Sequence, residues 1–332
     1  MDRVGIGIVG MGSFGRRHAE VCANLAETRL AAVCSRREDS VRPVAEEYGA
    51  FATTDLRRLV EHPGVDAVIV CTPDHAHKEA AVAATHAGKH VFVEKPMATR
   101  VEDCEEMAAA AAEAGVKLTV GQILRFDPRY FEMRARIARG EAGRLIYMYA
   151  RRNNPRGAAE RAFGRTTPTF WLGSHDIDMF LWCASAPVAA VYARNAGFLL
   201  PAGQGPDAVL ALLTFADGAQ ALLETCWVLP DGAPSSLDAL FEAVGTEGRL
   251  QVDASCDGLT AWSTAGVEHP RSAYGAELHG LQTGALAEEV RHFARCVRED
   301  TPPAVSPAEG TEVVRVACAI DHSAATGEVV RL

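Results

Sequence analysis

The sequence predicts an α/β protein of two parts: an N-terminal doubly wound parallel sheet, then a second domain with a mostly antiparallel sheet. Three observations carry this. The chain opens on a short apolar run, a glycine-spaced turn and a helix. Apolar runs then alternate with helical stretches as far as Gln122, as βαβ units do. Beyond that point, strand-like runs follow one another across Asp-Gly and Glu-Gly turns, the pattern of antiparallel pairing. The boundary is therefore placed between 122 and 123, and 332 residues suffice for two cores.

In the first run, Ile6, Ile8 and Val9 read as a strand buried on both faces. Gly10, Gly12 and Gly15 follow as G-x-G-x-x-G, before a helix over Arg16–Ala26 with Ala19, Val21, Cys22, Ala23 and Leu25 apolar. Gly10 permits the tight turn, Gly12 lets the backbone approach a pyrophosphate, and Gly15 lets helix pack on strand. The helix N-terminus supplies N–H donors to the anion. Strand before and helix after are the context that supports a dinucleotide site.

Leu30–Cys34 is the second strand, ending in Ser35-Arg36-Arg37, about 20 residues beyond Gly15, where such folds choose between cofactors. The acid that would bond a ribose 2′-hydroxyl is absent. Ser35 can bond a 2′-phosphate, and Arg36 can pair with it and stack on adenine. NADP is favoured over NAD, the alternative being a solvated loop end. Ala67–Cys71 is the third strand and delivers Thr72-Pro73 to its carboxyl end, beside the expected cofactor. Asp74 is expected to cap the next helix, and His77 one turn on reads as structural. A strand from His90 then runs into Glu94-Lys95-Pro96. A lysine directly after an apolar strand would sit at the ligand-binding edge, although a surface Glu-Lys pair gives the same letters. A helix over Val101–Ala114 and a fifth strand over Lys117–Gln122 complete this part.

In the second part, Asp127-Pro128 starts a helix, and strands are expected at Leu145–Ala150, Val188–Ala193, Val209–Phe215, Ala219–Trp227 and Leu240–Val244. Helices are expected at Ser174–Trp182, Leu281–Val297 and Glu309–His322, with a loop over Arg156–Arg165.

The totals exclude several classes. A net charge of −10 and a pI near 5.6 argue against a nucleic-acid partner. No apolar run approaches the roughly 20 residues that cross a bilayer. The first strand begins so close to Met1 that no signal peptide fits before it. Nine scattered cysteines without a C-x-x-C pair suit free thiols in a reducing cytoplasm, and no metal site is expected.

The chain resembles the Gfo/Idh/MocA oxidoreductase family, which includes inositol dehydrogenase and glucose-fructose oxidoreductase. The matching stretches are Gly10–Gly15, Cys71-Thr72-Pro73 through His77, Ala87–Val91 running into Glu94-Lys95-Pro96, Gly121-Gln122 through Pro128, Ser174–Asp178 and Ala319–Gly327. The resemblance implies a Rossmann domain, a C-terminal α/β domain on an open sheet, and hydride transfer between NAD(P) and a sugar or cyclitol carbon. It places cofactor contacts at Gly10, Met11, Gly12, Ser13, Phe14, Gly15, Ser35, Arg36, Arg37, Cys71, Thr72, Pro73, His75, His77, Glu94, Lys95 and Gln122.

Hydride transfer from a secondary alcohol needs a base for the hydroxyl proton and a positive group for the developing alkoxide. Lys95 is the candidate for the second role. His175 is the candidate acid/base, because imidazole titrates near neutrality and the start of a helix favours its neutral form; a capping or packing histidine is the plainer alternative. In the inositol dehydrogenase pattern an Asp precedes this His by four residues, and here Trp171 stands there. Tryptophan accepts no proton, but it stacks on a sugar ring and donates one hydrogen bond. Substrate contacts are thus expected from Lys95, Arg125, Arg152, Asn154, Trp171 and His175, with Arg151 and Arg156 adding to a basic cluster suited to a carboxylate or phosphate; a solvated strand end with salt bridges is the plainer alternative. The alternatives are a cofactor-sensing regulator and an enzyme that recycles bound cofactor. An exposed sheet face in the second domain would favour a homodimer or homotetramer.

Overall fold

The structure is a computed structural model that describes residues 3–264, 266–270 and 275–332. The chain forms two compact units, Met1–Phe126 with Tyr274–Val314, and Asp127–Ala273 with Arg315–Leu332.

The first unit contains β1 (Val4–Val9), α1 (Ser13–Asn24), β2 (Thr28–Cys34), α2 (Glu38–Tyr48), β3 (Phe51–Thr53), α3 (Leu56–Val60), β4 (Ala67–Val70), α4 (His77–His86), β5 (His90–Glu94), α5 (Val101–Ala114) and β6 (Leu118–Gly121). The strands form one parallel sheet in the order β3-β2-β1-β4-β5-β6. Every residue of β1 and β4 is buried, which explains their unbroken apolar runs. The strand order reverses between β1 and β4, the crevice where such sheets bind ligands. The sequence reading lacked β3, too short for a periodic signal, and α2, which carries Pro43 in its interior.

The second unit contains α6 (Pro128–Ala138), β7 (Leu145–Pro155), α7 (Arg156–Ala159), α8 (Ser174–Cys183), β8 (Val188–Ala196), β9 (Ala208–Phe215), β10 (Gln220–Leu229), β11 (Asp238–Gly245), β12 (Arg249–Asp253) and the short hairpin β13 (Ala261–Ser263) and β14 (Gly266–Glu268). Asp127 caps α6 by accepting the Arg129 N–H, with Pro128 in the first turn. After the first unit's hairpin β15 (Glu277–Leu278) and β16 (Leu281–Gln282) and helix α9 (Ala285–Glu299), the division falls within α10 (Pro307–Thr326), and β17 (Val330–Arg331) ends the chain. The seven-stranded sheet runs β12-β11-β7-β10-β9-β8-β17, antiparallel except for β7 beside β10.

The fold class is as expected; the placement of residues 275–314 is not. The sequence reading put them with the second domain, whereas they pack in the first unit. Phe293 of α9 meets Phe92 of β5 edge to face with ring centroids 5.8 Å apart, and Thr119 of β6 donates to the Val305 carbonyl at 2.8 Å. The apolar face of α9 covers the parallel sheet, a pairing that chain order alone does not reveal. The expected helix at Leu281 starts instead at Ala285, because Leu281–Gln282 form β16. The expected loop over Arg156–Arg165 contains α7 and a 3₁₀ turn at Glu160–Ala162. No helix among the described residues is long and apolar enough to cross a membrane. All nine cysteines are free thiols.

Candidate active site

β1 delivers the chain to Gly10, whose φ of +102° strains any side-chain-bearing residue. A Cβ added at Gly10 would lie 2.5 Å from the Cys71 carbonyl oxygen, and one at Gly15 only 1.8 Å from the Gly10 carbonyl oxygen. At Gly12 it would meet nothing within 4 Å, so this side of the turn is open. Gly12 also caps α1, with no side-chain cap bond and no acid in the first turn. A helix start with no acid in its first turn suits a bound anion. Beside the turn, Met11 is buried, Ser13 exposed and Phe14 half-buried. This geometry fits the pyrophosphate of a dinucleotide.

Two further features at the carboxyl edge fit a bound polar group. The Thr72 hydroxyl, just past β4, and both amide atoms of Gln122, just past β6, are buried without hydrogen-bond partners among the described residues. Such groups are costly unless something meets them. Ser35 is half-buried at the end of β2, and Arg36 is exposed with no ion pair among the described residues. Arg37 lies 3.6 Å from Asp39. His75 is exposed beside Asp74. Asp74 does not cap α4; it sits in a 3₁₀ turn after Pro73 and accepts the His75 N–H, because the turn intervenes before the helix.

Two residues expected to touch cofactor turn inward instead. His77 Nε2 lies 2.9 Å from the Thr72 carbonyl and its Nδ1 2.9 Å from the Pro96 carbonyl. Burial holds its pKa below the ordinary value. The ring ties the loop after β4 to the loop after β5. Glu94 is buried, with Oε1 2.6 Å from His18 Nε2 and Oε2 accepting the Lys95 N–H at 3.2 Å. Lys95 itself is half-buried at the carboxyl end of β5, before a cis peptide bond to Pro96.

In the second unit, His175 is half-buried in the first turn of α8, but α8 follows directly from a π-helical turn at Thr169–Gly173. The start of the helical segment therefore lies near Thr169, and the helix-start argument for a neutral His175 weakens. Trp171 is half-buried within the π turn, and the Arg161 guanidinium lies over its ring at 5.3 Å. Thr167 donates to Asp321 at 2.7 Å at the base of this turn. Burial raises the Asp321 pKa.

Three arginines of the expected basic cluster are paired with carboxylates of their own unit. Arg152 is buried and grips Asp176 with Nε at 2.7 Å and Nη2 at 2.9 Å. Arg151 bonds Asp238 at 2.8 Å, and Asn154 donates to the Ser236 carbonyl at 2.7 Å. Arg125 is buried in the first unit against Glu309 at 2.6 Å and the Ala304 carbonyl at 3.2 Å. A guanidinium that leaves water needs a carboxylate, and these arginines have one within the protein. Only Arg156 of the group is exposed.

The sequence reading missed His18, Asp176 and Glu289. Glu289 did leave a signal: it falls three residues after Leu286 and four before Phe293, on the apolar face of α9.

Residues 4–122 match the model of the oxidoreductase family with an NAD-binding Rossmann fold, and residues 130–251 match the GFO/IDH/MocA C-terminal domain. The scyllo-inositol 2-dehydrogenase (NAD(+)) of Bacillus subtilis strain 168 is 28% identical over 98% of this chain and 95% of its own. Inositol 2-dehydrogenase 2 of Saccharopolyspora erythraea is 30% identical over 97% of this chain and 93% of its own. Among solved structures, GenD2 from gentamicin A biosynthesis in complex with NAD superposes with a TM-score of 0.89 at 25% identity, covering 100% of this chain and 97% of that one. The chain is an NAD-binding oxidoreductase of the GFO/IDH/MocA family.

Proposed function

We propose that this protein transfers a hydride between a nicotinamide cofactor and a secondary alcohol or ketone carbon of a sugar, cyclitol or sugar derivative. The observation that carries the proposal is the position of Lys95 at the carboxyl end of β5, on the same edge of the parallel sheet as the open side of the Gly10–Gly15 turn. A bound nicotinamide supplies or accepts the hydride. The Lys95 ammonium holds the reacting oxygen and stabilises negative charge as it develops. His175 takes the hydroxyl proton, or returns it in the reverse direction. Trp171 supplies an apolar face and one N–H donor to the substrate ring. The inositol dehydrogenases among the relatives support the substrate class.

NADP is the preferred cofactor in this reading. Its support is the Ser35-Arg36-Arg37 end of β2, which lacks an acid and presents an exposed Arg36. The Bacillus relative is named for NAD(+), so the preference rests on these residues alone.

A homodimer or homotetramer is supported by the solvent face of the large sheet. Tyr192, Leu212, Leu222 and Tyr149 pair in register across β8, β9, β10 and β7, and Tyr192, Leu212 and Leu222 are each more than 40% exposed. Such a stripe is a self-association surface. Leu212→Glu with Leu222→Glu is expected to yield monomer by light scattering; an unchanged mass overturns this.

The function is tested by following nicotinamide absorbance with both cofactors against polyols, aldoses and keto-sugars, then by Lys95→Met and His175→Ala. Each variant is expected to lower turnover at least 100-fold with cofactor affinity within a few-fold of native. Parallel loss of cofactor binding in Lys95→Met reassigns that side chain to the cofactor.

A further inference from the structure

The proposed chemistry leaves one buried group of titratable side chains unused. His18 on α1, Glu94 at the end of β5 and Glu289 on α9 all belong to the first unit, and their exposures are 0%, 7% and 1%. One nitrogen or oxygen from each lies within 4.8 Å of the other two. His18 and Glu94 bond at 2.6 Å, and the other Glu94 oxygen accepts the Lys95 amide. Neither oxygen of Glu289 has a hydrogen-bond partner among the described residues. The surroundings are apolar. Phe14 and Phe92 meet the His18 ring edge-on, and Phe293, one turn along α9 from Glu289, packs on Phe92.

Charge balance limits what this group can be. Two ionised carboxylates leave a net buried charge even when His18 is protonated, and an uncompensated charge in such a site is strongly unfavourable. A neutral Glu289 removes one of the two negative charges from the site. Burial, and then the Glu94 charge, push the Glu289 carboxyl well above the usual range. The Cys71 thiol also reaches this site electrostatically, and burial foremost keeps it protonated, as burial does the Cys22 thiol. They add no compensating positive charge.

We propose that His18 and Glu289 are positioning residues for Lys95. Glu289 stays a neutral acid and places no second carboxylate charge beside Glu94. Glu94 is then clamped by His18 on one oxygen and by the Lys95 amide on the other. The main chain of Lys95 is thereby held at the carboxyl edge of the sheet through Glu94, by His18 directly and by Glu289 through its missing charge. The inference rests on the role given to Lys95 above.

The test compares His18→Leu with His18→Gln and Glu289→Leu with Glu289→Gln, each checked for native circular dichroism. Leucine removes the polar partner, whereas glutamine keeps a neutral donor of similar length. Each leucine variant is expected to lower kcat 10- to 100-fold, with substrate KM and cofactor Kd within threefold of native, and glutamine to restore most of the loss at 289 and part of it at 18. Native kcat in both leucine variants overturns the proposal, as does Glu289→Gln being as impaired as Glu289→Leu, which would mean that an ionised Glu289 is required. Loss of cofactor affinity in step with kcat overturns it too. So does a stoichiometric divalent metal in the native protein that Glu289→Gln lacks, because the acid would then be a ligand. Lys95→Met separates the two claims. Native turnover in that variant overturns the role of Lys95 and the clamp together, whereas an inactive Lys95→Met beside fully active leucine variants overturns the clamp alone.

Discussion

The glycine turn at Gly10–Gly15 and the arginine strand at Arg151–Asn154 are both dense in chemical suggestion, and the chain uses them in opposite ways. In the turn, function lies in the backbone. Gly10 and Gly15 are glycines because a Cβ would strike a carbonyl, and Gly12 borders open space. In β7, function would have to lie in side chains, and these are already occupied. Arg152 is spent on Asp176, Arg151 on Asp238 and Asn154 on the Ser236 carbonyl. Missing side chains leave a site that only backbone can fill, so the turn keeps its meaning in any context. Charged side chains take their meaning from whatever they pack against.

Breaking this contrast starts with the buried pair. Arg152→Leu or Asp176→Leu alone is expected to cost about 3–5 kcal/mol of stability, because each strands a buried charge. The two together should recover much of that loss in urea unfolding. If Arg152 instead bound substrate, its variants would raise KM at unchanged stability. Next, Gly15→Ala is expected to weaken dinucleotide binding at least 100-fold, roughly 2.7 kcal/mol, read by nicotinamide fluorescence. Native affinity would show that the turn relaxes around the added methyl. Arg36→Ala should weaken NADPH about tenfold more than NADH, roughly 1.4 kcal/mol; an unchanged ratio of affinities rejects the assignment at the end of β2. The smallest effect is expected at Asn154→Ala. It loses one half-exposed hydrogen bond, worth about 1 kcal/mol, with no change in substrate KM.

The legible parts of the site share one property. The end of β4, the end of β5 and the start of α1 are marked by where an apolar run stops, and that is a local feature. Thr72, Lys95 and Gln122 could be placed at the carboxyl edge from it. His77 reads from the sequence both as structural and as a cofactor contact, and its work as a tie between two loops depends on the Pro96 carbonyl, 19 residues away. The inward turn of Glu94 depends on His18, 76 residues away. The sequence puts His175 at a helix start, and the π turn that precedes α8 and holds Trp171 left no mark in the sequence pattern.

By itself, the sequence determined the parallel sheet, the dinucleotide turn, the antiparallel character of the second sheet and the family. The first three follow from backbone sterics and from hydrophobic period, which act over a few residues, and the family from the resemblance of its motifs. Only the tertiary structure decided that residues 275–314 return to the first unit, that Arg125 pairs with Glu309 across 184 positions, and that a second acid, Glu289, lies buried beside Glu94. The physical reason is that a buried charge must be matched by whatever the fold brings beside it, and separation along the chain does not encode that neighbour.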